Sequence, residues 1–312
     1  MTDRGRQLIR VGARGSKLSL AQATWVVNRL AEVSPDYQFD LQVIKTSGDA
    51  DQRTPLAAMG GTGVFVKELE RALTEGEIDL AVHSAKDLPA TLSEEFCLAA
   101  VPQRALVEDV LISRSGKKLL GLPEGAKIAT GSPRRRAQMR KLRPDLVAVE
   151  VRGNVDTRLR KLGEGDFDAI ILARAGLVRL GLEDRITEIL STADFLPTPG
   201  QGALAVEALL KNDRAVSIAR EISNLRFEAA LAAERSLLKA LQAGCSLPIG
   251  GWARWVDGNK LIMDAVVLSL NGSMSVDAHS ETDRISEAPS LGEQIAEKLM
   301  QQGAGEILND GT

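Results

Sequence analysis

Apolar and polar residues change along the chain in blocks that predict strands and helices in turn. Apolar runs of roughly four to eight residues predict buried strands, and apolar residues three or four positions apart predict helices. The first blocks predict a strand at 8–12, a helix at 19–33 and a strand at 38–45. The blocks that follow predict helices at 65–74, 134–141 and 155–162, and strands at 78–83, 97–101, 110–113, 127–130, 146–151 and 169–173. This order predicts an α/β fold with mainly parallel sheets covered by helices.

A strand, a glycine or serine turn and a helix occur at 8–33 and again at 127–143, which predicts two domains of similar construction. Segments 102–108 and 196–202 are the predicted linkers between them, so the chain should enter the second domain and return to the first. After 222 the pattern changes to a long helix, two β stretches (252–256 and 261–270) and a final helix at 290–302. The predicted domains are 1–102 with 200–221, 108–196, and a small α+β domain at 222–312.

Composition sets limits on the class of protein. A chain of 312 residues exceeds what one core usually fills, and 44% hydrophobic with 26% charged residues is typical of a soluble globular protein. Two cysteines do not form a disulfide framework, which favours a reducing compartment. The N-terminal residues lack the apolar core of a signal peptide, and no segment has the roughly 18 apolar residues of a membrane helix. We therefore expect a cytoplasmic protein that binds no membrane; the alternative is an organelle protein whose transit peptide has been removed.

The distribution of charge is more informative than the net charge of −3. Segment 132–160 contains eight arginines and one lysine against three acids, and the chain as a whole has 26 arginines and 13 lysines. A guanidinium is a planar fork that pairs with a carboxylate or phosphate in a fixed geometry. Aromatic residues, on which single-stranded nucleic acids stack, are 3% of the chain. The basic segment therefore predicts a site for small anions and no nucleic-acid partner.

Polar side chains follow many of the predicted strands directly. In open parallel sheets, ligands bind at the edge where the carboxyl ends of the strands lie. Two such edges facing each other across a hinge would form one cleft between domains 1 and 2. The candidates at these strand ends are Arg14, Ser16, Ser84, Lys86, Asp87, Ser132, Arg134, Arg135, Arg152, Asn154, Arg174 and Arg179.

The start of the helix at 134–141 is the most specific of these positions. Ser132 suits the N-cap and Pro133 the first helical position, but three arginines then occupy the first turn. Cations at the positive end of a helix dipole cost roughly 0.3–1 kcal/mol each. A bound anion would offset this cost. The alternative is that the three arginines form a solvated basic face.

Cys245 stands in Gly-Cys-Ser-Leu-Pro-Ile-Gly-Gly, between a helix and a turn, and suggests a sulfur that carries a group covalently. Cys97, in an apolar run, is interpreted as a small core residue. Asp87 is either a turn residue or a carboxylate that stabilises a cation in a basic cleft. His83 ends a buried strand and is interpreted as a core histidine. The spacing of histidines and cysteines predicts no zinc site and no other metal.

Eight segments between about residue 9 and residue 251 together resemble the porphobilinogen deaminase (hydroxymethylbilane synthase) family. They are Ala-Arg-Gly-Ser at 13–16 with Gln22, Phe-Val-Lys-Glu-Leu-Glu at 65–70, Ala-Val-His-Ser-Ala-Lys-Asp-Leu-Pro at 81–89, Gly-Ser-Pro-Arg-Arg at 131–135, Val-Arg-Gly-Asn-Val-Asp-Thr-Arg-Leu at 151–159, Ala-Gly-Leu-Val-Arg-Leu-Gly-Leu at 175–182, Leu-Pro-Thr-Pro-Gly-Gln-Gly-Ala at 196–203 and Gly-Cys-Ser-Leu-Pro-Ile-Gly at 244–250.

The resemblance implies three domains, the first two similar to periplasmic binding proteins, and a monomer. It implies a dipyrromethane cofactor, made from two molecules of porphobilinogen and held by a thioether at Cys245. The enzyme would add four further porphobilinogens to this primer, losing ammonia each time, and hydrolysis would release 1-hydroxymethylbilane for tetrapyrrole biosynthesis.

The resemblance also implies roles for individual residues. Asp87 would stabilise the azafulvene cation left by loss of ammonia and would bind pyrrole N–H groups. The implied cofactor-binding residues are Cys245, Lys86, Asp87, Ser132, Arg134 and Arg135. The implied substrate-binding residues are Arg14, Ser16, Gln22, Arg152, Arg158, Arg179 and Gln201.

One segment departs from the family pattern. Many members have lysines where this chain has Ala58 and Thr62, so basic contacts from that loop to substrate are not expected here. Two other classes of function remain open at this point. A binding protein for a small polycarboxylate would explain the arginines but not Cys245, and a thiol-dependent hydrolase or acyltransferase would explain Cys245 but not the arginines.

Overall fold

The computed structural model describes residues 7–45, 66–242 and 247–309. The chain divides into two compact units, Met1–Arg104 with Ala203–Glu228, and Ala105–Gly202 with Ala229–Thr312. Strands and helices alternate in both, so the predicted α/β class is confirmed. The chain therefore passes between the units three times, near residues 104, 202 and 228.

The described strands form three sheets. In chain order they are β1 (Gln7–Arg14), β2 (Tyr37–Ile44), β3 (Leu80–Ser84), β4 (Phe96–Ala100), β5 (Asp109–Ser113), β6 (Lys127–Ala129), β7 (Val147–Val149), β8 (Ala169–Ala173), β9 (Glu188–Ile189), β10 (Leu204–Leu209), β11 (Ile249–Val256), β12 (Lys260–Leu268) and β13 (Ser275–Thr282).

The helices of the described residues cover these sheets. They are α1 (Lys17–Val33), α2 (Lys67–Thr74), α3 (Pro133–Leu142), α4 (Val155–Glu164), α5 (Arg174–Arg179), α6 (Asp213–Arg220), α7 (Leu225–Ala240), α8 (Ala288–Gln301) and α9 (Ala304–Asn309).

The sheet of the first unit has the order β2-β1-β3-β10-β4. Strand β1 is parallel to β2 and β3, whereas β10 runs antiparallel between β3 and β4. All six residues of β10 are buried, and this strand was not among the predicted ones. One face of the sheet packs against α1 and α6 and the other against α2. The parallel strands bring the carboxyl ends of β1 and β3 to one edge.

The second unit contains a sheet of similar construction, with the order β7-β6-β8-β5-β9. Strand β6 is parallel to β7 and β8, and β5 is antiparallel to β8 and β9. Two cores on opposite faces of the sheet include Leu111 with Phe195 and Val110 with Ile170. The carboxyl ends of β6, β7 and β8 therefore lie at one edge of this sheet.

The same unit includes the antiparallel sheet β11-β12-β13, one face of which packs against α7, α8 and α9. Its other face touches α3, because Val266 and Leu268 of β12 form a buried cluster with Ala137. A Cβ on Gly272, whose φ is +75°, would lie 2.5 Å from the Ala137 carbonyl oxygen. The turn after β12 thus approaches the backbone of α3 more closely than a side chain would permit.

Helices α7 and α8 make a second close approach, and this one is testable. A Cβ on Gly292 of α8 would lie 2.0 Å from the Ala233 carbonyl oxygen and 2.8 Å from the Leu237 nitrogen. Since these are backbone atoms, Gly292→Ala forces the helices apart and should lower the free energy of unfolding by roughly 1–3 kcal/mol.

The control is Gly163→Ala in α4, where a Cβ meets no atom within 4 Å. Alanine there restricts the unfolded chain and should leave stability unchanged or raise it by roughly 0.4–1 kcal/mol. Urea unfolding of both variants measures the difference. Equal effects of the two substitutions would show that α7 and α8 can separate without cost.

Candidate functional site

A pocket lies at the edge of the first unit where β1 and β3 end. Its cavity measures about 60 Å³, which accommodates a few water molecules or one carboxylate group. Small-molecule sites usually measure roughly 300–1,000 Å³, so these residues enclose a substituent rather than a whole ligand. The lining residues are Arg14, Ser16, Leu18, Ser19, Gln22, Val66, Val82, His83, Ser84 and Asp87.

Helix α1 contributes two of these side chains through its first turns. Ser16 is the N-cap of the helix, and its hydroxyl accepts a hydrogen bond from the Ser19 N–H at 3.2 Å. One turn further, the Gln22 side chain is buried and its Nε2 donates to the Ser84 Oγ at 2.9 Å. This contact joins α1 to the end of β3, and it places two hydroxyl groups beside an arginine at the same edge.

Asp87 lies in a short 3-10 helix, Ala85–Asp87, that begins immediately after β3. The Ala85 N–H donates to the carbonyl oxygen of Ala203 at 3.0 Å, which ties the start of this helix to the residue before β10. Lys86 and Asp87 are both partly exposed. The structure thus brings Arg14, Ser16, Gln22 and Asp87 to one pocket, as expected for residues at the ends of parallel strands.

A buried histidine that lines this pocket contacts a buried glutamate. His83 is buried as expected of a core histidine, and its Nε2 lies 2.9 Å from a carboxylate oxygen of Glu207, which is fully buried on β10. Burial and the neighbouring Glu207 raise the pKa of Glu70 on α2. Glu207 was not expected in this position, because β10 was not predicted.

In the second unit, Ser132 caps α3 as predicted, accepting a hydrogen bond from the Arg135 N–H at 3.4 Å. Arg134 and Arg135 then turn inward and meet one buried carboxylate, Asp109 at the start of β5. Nη2 of Arg134 lies 2.7 Å from Asp109 Oδ2, and Nη2 of Arg135 lies 2.7 Å from Oδ1. The Asp109 side chain is fully buried, and those of Arg134 and Arg135 are 3% and 9% exposed.

The charge of Asp109 depends on these arginines. Burial by itself would raise the pKa of Asp109, but Arg134, Arg135 and a hydrogen bond from Gln201 outweigh it and hold that pKa well below its usual range. The carboxylate therefore stays ionised and holds two cations inside the protein. The basic first turn of α3 is a buried ion cluster at two of its three arginines, rather than a solvated face.

Two positive charges face one negative charge in this cluster. The Nε of Arg134 is buried and has no hydrogen-bond partner within the described parts of the chain. A buried donor left unpaired costs free energy, more so when it is charged. Both features fit a ligand that brings a carboxylate, and dipyrromethane with its acetate and propionate groups is such a ligand.

The remaining predicted residues of the second unit lie at the same sheet edge or beside it. Arg152 follows β7 and pairs with Glu150 at 3.3 Å, and the Nε of Arg158 on α4 donates to the Gly153 carbonyl at 2.7 Å. Arg179, at the end of α5, donates to the carbonyl oxygen of Gly202 at 2.8 Å. Burial lowers the pKa of Arg179 to about 10, so it remains charged at neutral pH.

Gln201 is fully buried where the chain leaves the second unit. Its Nε2 donates to the Val107 carbonyl at 2.7 Å and to Asp109 Oδ1 at 3.0 Å. The next residue, Gly202, has φ +82°, and a Cβ there would lie 2.6 Å from the Ala105 carbonyl oxygen. The first two crossing segments are therefore in direct contact with each other within the second unit.

Several predicted positions lie outside the described residues: Cys245, Phe65, and Ala58 and Thr62 of the loop that departs from the family pattern. Cys97 is partly buried on β4, and burial raises the pKa of its thiol. Whether the two sheet edges face each other across a cleft also stays a prediction.

Asp109 and Glu207 were not among the predicted candidates. Ser84 follows a strand directly and was noticed for that reason alone. Asp109 carries a recognisable signal, an acidic residue at the first position of an apolar strand, but the sequence does not reveal that two arginines 25 and 26 residues later meet it.

Two family models match the chain in order. Residues 9–217 match the model described as porphobilinogen deaminase, dipyromethane cofactor binding domain, and residues 229–301 match porphobilinogen deaminase, C-terminal domain.

The chain belongs to the porphobilinogen deaminase family.

Curated relatives agree with this assignment. Porphobilinogen deaminase of Desulforudis audaxviator is 47% identical over 303 residues, which is 97% of each chain. That of Syntrophobacter fumaroxidans is 44% identical over 310 residues, 99% of each, and that of Brevibacillus brevis is 42% identical over 299 residues, 96% of each. The chain is therefore a transferase of tetrapyrrole biosynthesis that uses a dipyrromethane cofactor and polymerises porphobilinogen to hydroxymethylbilane.

Solved structures similar to the chain include two periplasmic proteins. The periplasmic VFT2 domain of Bordetella pertussis BvgS has a TM-score of 0.41 at 14% identity, covering 70% of this chain and 87% of that domain. The aliphatic sulphonate binding protein SsuA of Escherichia coli has a TM-score of 0.40 at 14% identity, covering 76% and 71%. Among the described residues, no helix has the length and apolar character needed to cross a membrane.

The buried Asp109 cluster predicts a pH dependence of stability. Removing the charge in Asp109→Asn leaves two buried guanidinium groups without their anion, which should cost about 3–5 kcal/mol of unfolding free energy at neutral pH. Because the folded pKa is depressed, this contribution is complete above the pKa of an unfolded aspartate, roughly 3.9, and is lost as the pH falls below it.

Urea unfolding of the wild type and of Asp109→Asn between about pH 7 and pH 3 measures the difference in stability between them. Other carboxylates titrate in both proteins and cancel in that difference. The difference should be constant down to about pH 5 and should then shrink. A difference that grows on acidification would contradict the assignment of an ionised Asp109.

Proposed function

We propose that this chain assembles hydroxymethylbilane on a dipyrromethane attached through a thioether to Cys245. A thiolate is the strong nucleophile that such an attachment needs, and a bond from sulfur to carbon resists the hydrolysis that releases product. The bound dipyrromethane supplies the pyrrole position to which the first porphobilinogen is joined. Family membership favours this function over the polycarboxylate-binding protein and the thiol hydrolase.

The residues that would hold the dipyrromethane are Lys86, Asp87, Ser132, Arg134 and Arg135. Arg134 and Arg135 bring two positive charges against the single charge of Asp109. An additional carboxylate beside Arg134 would balance the cluster and pair with the unpartnered Nε. Lys86 would pair with a carboxylate of the cofactor as a point charge.

The observation that carries the catalytic part of the proposal is the pocket that brings Asp87 together with Arg14, Ser16 and Gln22. Its size fits one carboxylate substituent of porphobilinogen, which Arg14 and the Ser16 hydroxyl would bind. Asp87 lines the same pocket, so its carboxylate would lie near a ring whose substituent binds there. Loss of ammonia makes the substrate cationic, and a carboxylate fixed there stabilises that charge as it develops.

Asp87 would also accept hydrogen bonds from pyrrole N–H groups, which orients the ring for coupling. The proton lost from the ring carbon during coupling balances the one that leaves with ammonia, so one carboxylate can serve as its carrier. Arg152, Arg158 and Arg179 would bind the carboxylates of the lengthening product. Each is at or near the basic edge of the second sheet, and each guanidinium offers a planar fork. Gln201, predicted as a further substrate-binding residue, donates both amide hydrogens to Val107 and Asp109 and would support this edge from within.

We further propose a cytoplasmic monomer that binds neither membranes nor nucleic acid. The supporting observations are the low aromatic content, the small net charge and the small-molecule substrate of the family.

The attachment of the primer is tested first. The intact mass of the purified wild-type protein should exceed the mass of the polypeptide by one dipyrromethane, whereas Cys245→Ser should have the unmodified mass, because a hydroxyl is a far weaker nucleophile than a thiolate. The matched control is Cys97→Ser, which should keep the added mass. An unmodified wild type that stays unmodified with porphobilinogen would refute the proposed function.

The role of Asp87 is tested separately. Asp87→Ala should fold and carry the primer, but its rate of porphobilinogen consumption should fall about 100-fold or more, since it lacks the charge that stabilises the cation. Intact mass shows whether the primer is present, and single-turnover kinetics isolates the chemical step. Near-normal turnover with the primer present would remove Asp87 from the chemistry.

A further inference from the structure

Asp109 is the structural centre of the basic edge of the second sheet. It begins β5, is fully buried, and accepts four side-chain hydrogen bonds at 3.0 Å or less. These come from Nη2 of Arg134, from Nε and Nη2 of Arg135, and from Nε2 of Gln201. Both carboxylate oxygens are used, so the position of each guanidinium depends on this one side chain.

The donors of the two arginines are used unequally. Arg135 directs Nε and Nη2 to Asp109 and Nη1 to the carbonyl oxygen of Ile171 at 3.2 Å. Arg134 directs Nη2 to Asp109 and Nη1 to the carbonyl oxygen of Leu196 at 2.7 Å, but its buried Nε has no partner among the residues described here. Arg135 is thus fully engaged, and Arg134 keeps one donor for a ligand.

The same contacts position the segment before the second crossing. The Leu196 carbonyl accepts from Arg134 and, at 3.2 Å, from Nε2 of Gln138, while the Leu196 N–H donates to Oε1 of Gln138 at 2.8 Å. Arg134 is therefore held from two sides, by Asp109 and by the backbone of Leu196. A guanidinium fixed in this way cannot rotate its Nε away without breaking both contacts.

A purely structural ion cluster would favour equal charges, since burying an unbalanced cation is costly. Here the two arginines together carry one positive charge more than Asp109 balances, and Arg134 has a donor without a partner among the described residues. We propose that Asp109 is a positioning residue for the dipyrromethane: it holds Arg134 and Arg135 so that Arg134 offers Nε to one carboxylate of that group. This inference rests on the proposed function.

The test compares two buried aspartates that bind arginine. Asp79, in the first unit, is 9% exposed and pairs with Arg10 at 3.1 Å, outside the residues that line the pocket. Asp109→Asn and Asp79→Asn should both lose stability in urea unfolding.

In apoprotein given porphobilinogen, Asp109→Asn should need about 10- to 100-fold more porphobilinogen for half-maximal primer assembly, as expected for loss of a hydrogen bond to a charged group. Asp79→Asn should match the wild type, and intact mass follows the loading of each.

A second variant covers the case in which Asp109→Asn does not fold. Arg134→Lys keeps a cation for Asp109 but removes the Nε donor, so it should fold and should show the same rise in half-maximal porphobilinogen concentration.

If the wild type carries its primer, normal loading of either folded variant would overturn the inference. A wild type without primer would instead overturn the proposed function, so the two failures are distinguishable. Equal loading defects in Asp109→Asn and Asp79→Asn would assign the effect to stability and would also overturn the positioning role.

Discussion

The buried contact between one carboxylate and two guanidinium groups is the interaction on which the second unit depends. Asp109 joins the start of β5 to the first turn of α3, and Gln201 and Leu196 join both to the segment that leads out of the unit. An N-terminal turn rich in arginine would oppose the helix dipole if left alone. The carboxylate beneath it removes that conflict, so α3 can carry its basic residues at the edge where ligands of parallel sheets bind.

In the first unit, neutral hydrogen bonds support the edge of the sheet where the candidate residues lie. Its pocket is organised by a serine cap on α1 and by the contact between Gln22 and Ser84, and its ionic residues stand at the end of the strands rather than beneath the helix. The two sheets are therefore similar in strand order but different in what supports their ligand edges. A rigid cluster suits a permanently bound group, whereas a small, partly open pocket suits a substituent that must enter and leave repeatedly.

Much of this arrangement follows from the sequence. The apolar runs of β1, β3 and β8 and the periodicity of α1 identify buried elements, and polar residues after them identify the ligand edge. Strand β10 was missed because Leu-Ala-Val-Glu-Ala-Leu consists mainly of good helix formers, and its place between two strands overrides that preference. β13 was missed because its polar residues, including His279, conceal the alternation. No sequence pattern could pair Asp109 with Arg134 and Arg135, since that contact depends on how the strands associate.

The position of β10 has a consequence for how the chain is made. Among the described strands, β4 pairs with β10 and with no other, and β10 comes more than a hundred residues later. While the polypeptide emerges from the ribosome, β3 and β4 must wait with unpaired edges until residue 209 is available. The strands of the second sheet, β5 to β9, are all synthesised before that point. The five-stranded sheet that begins the chain is thus completed after the five-stranded sheet of the second unit, which reverses the usual N-terminal-first order of folding during synthesis for these two sheets.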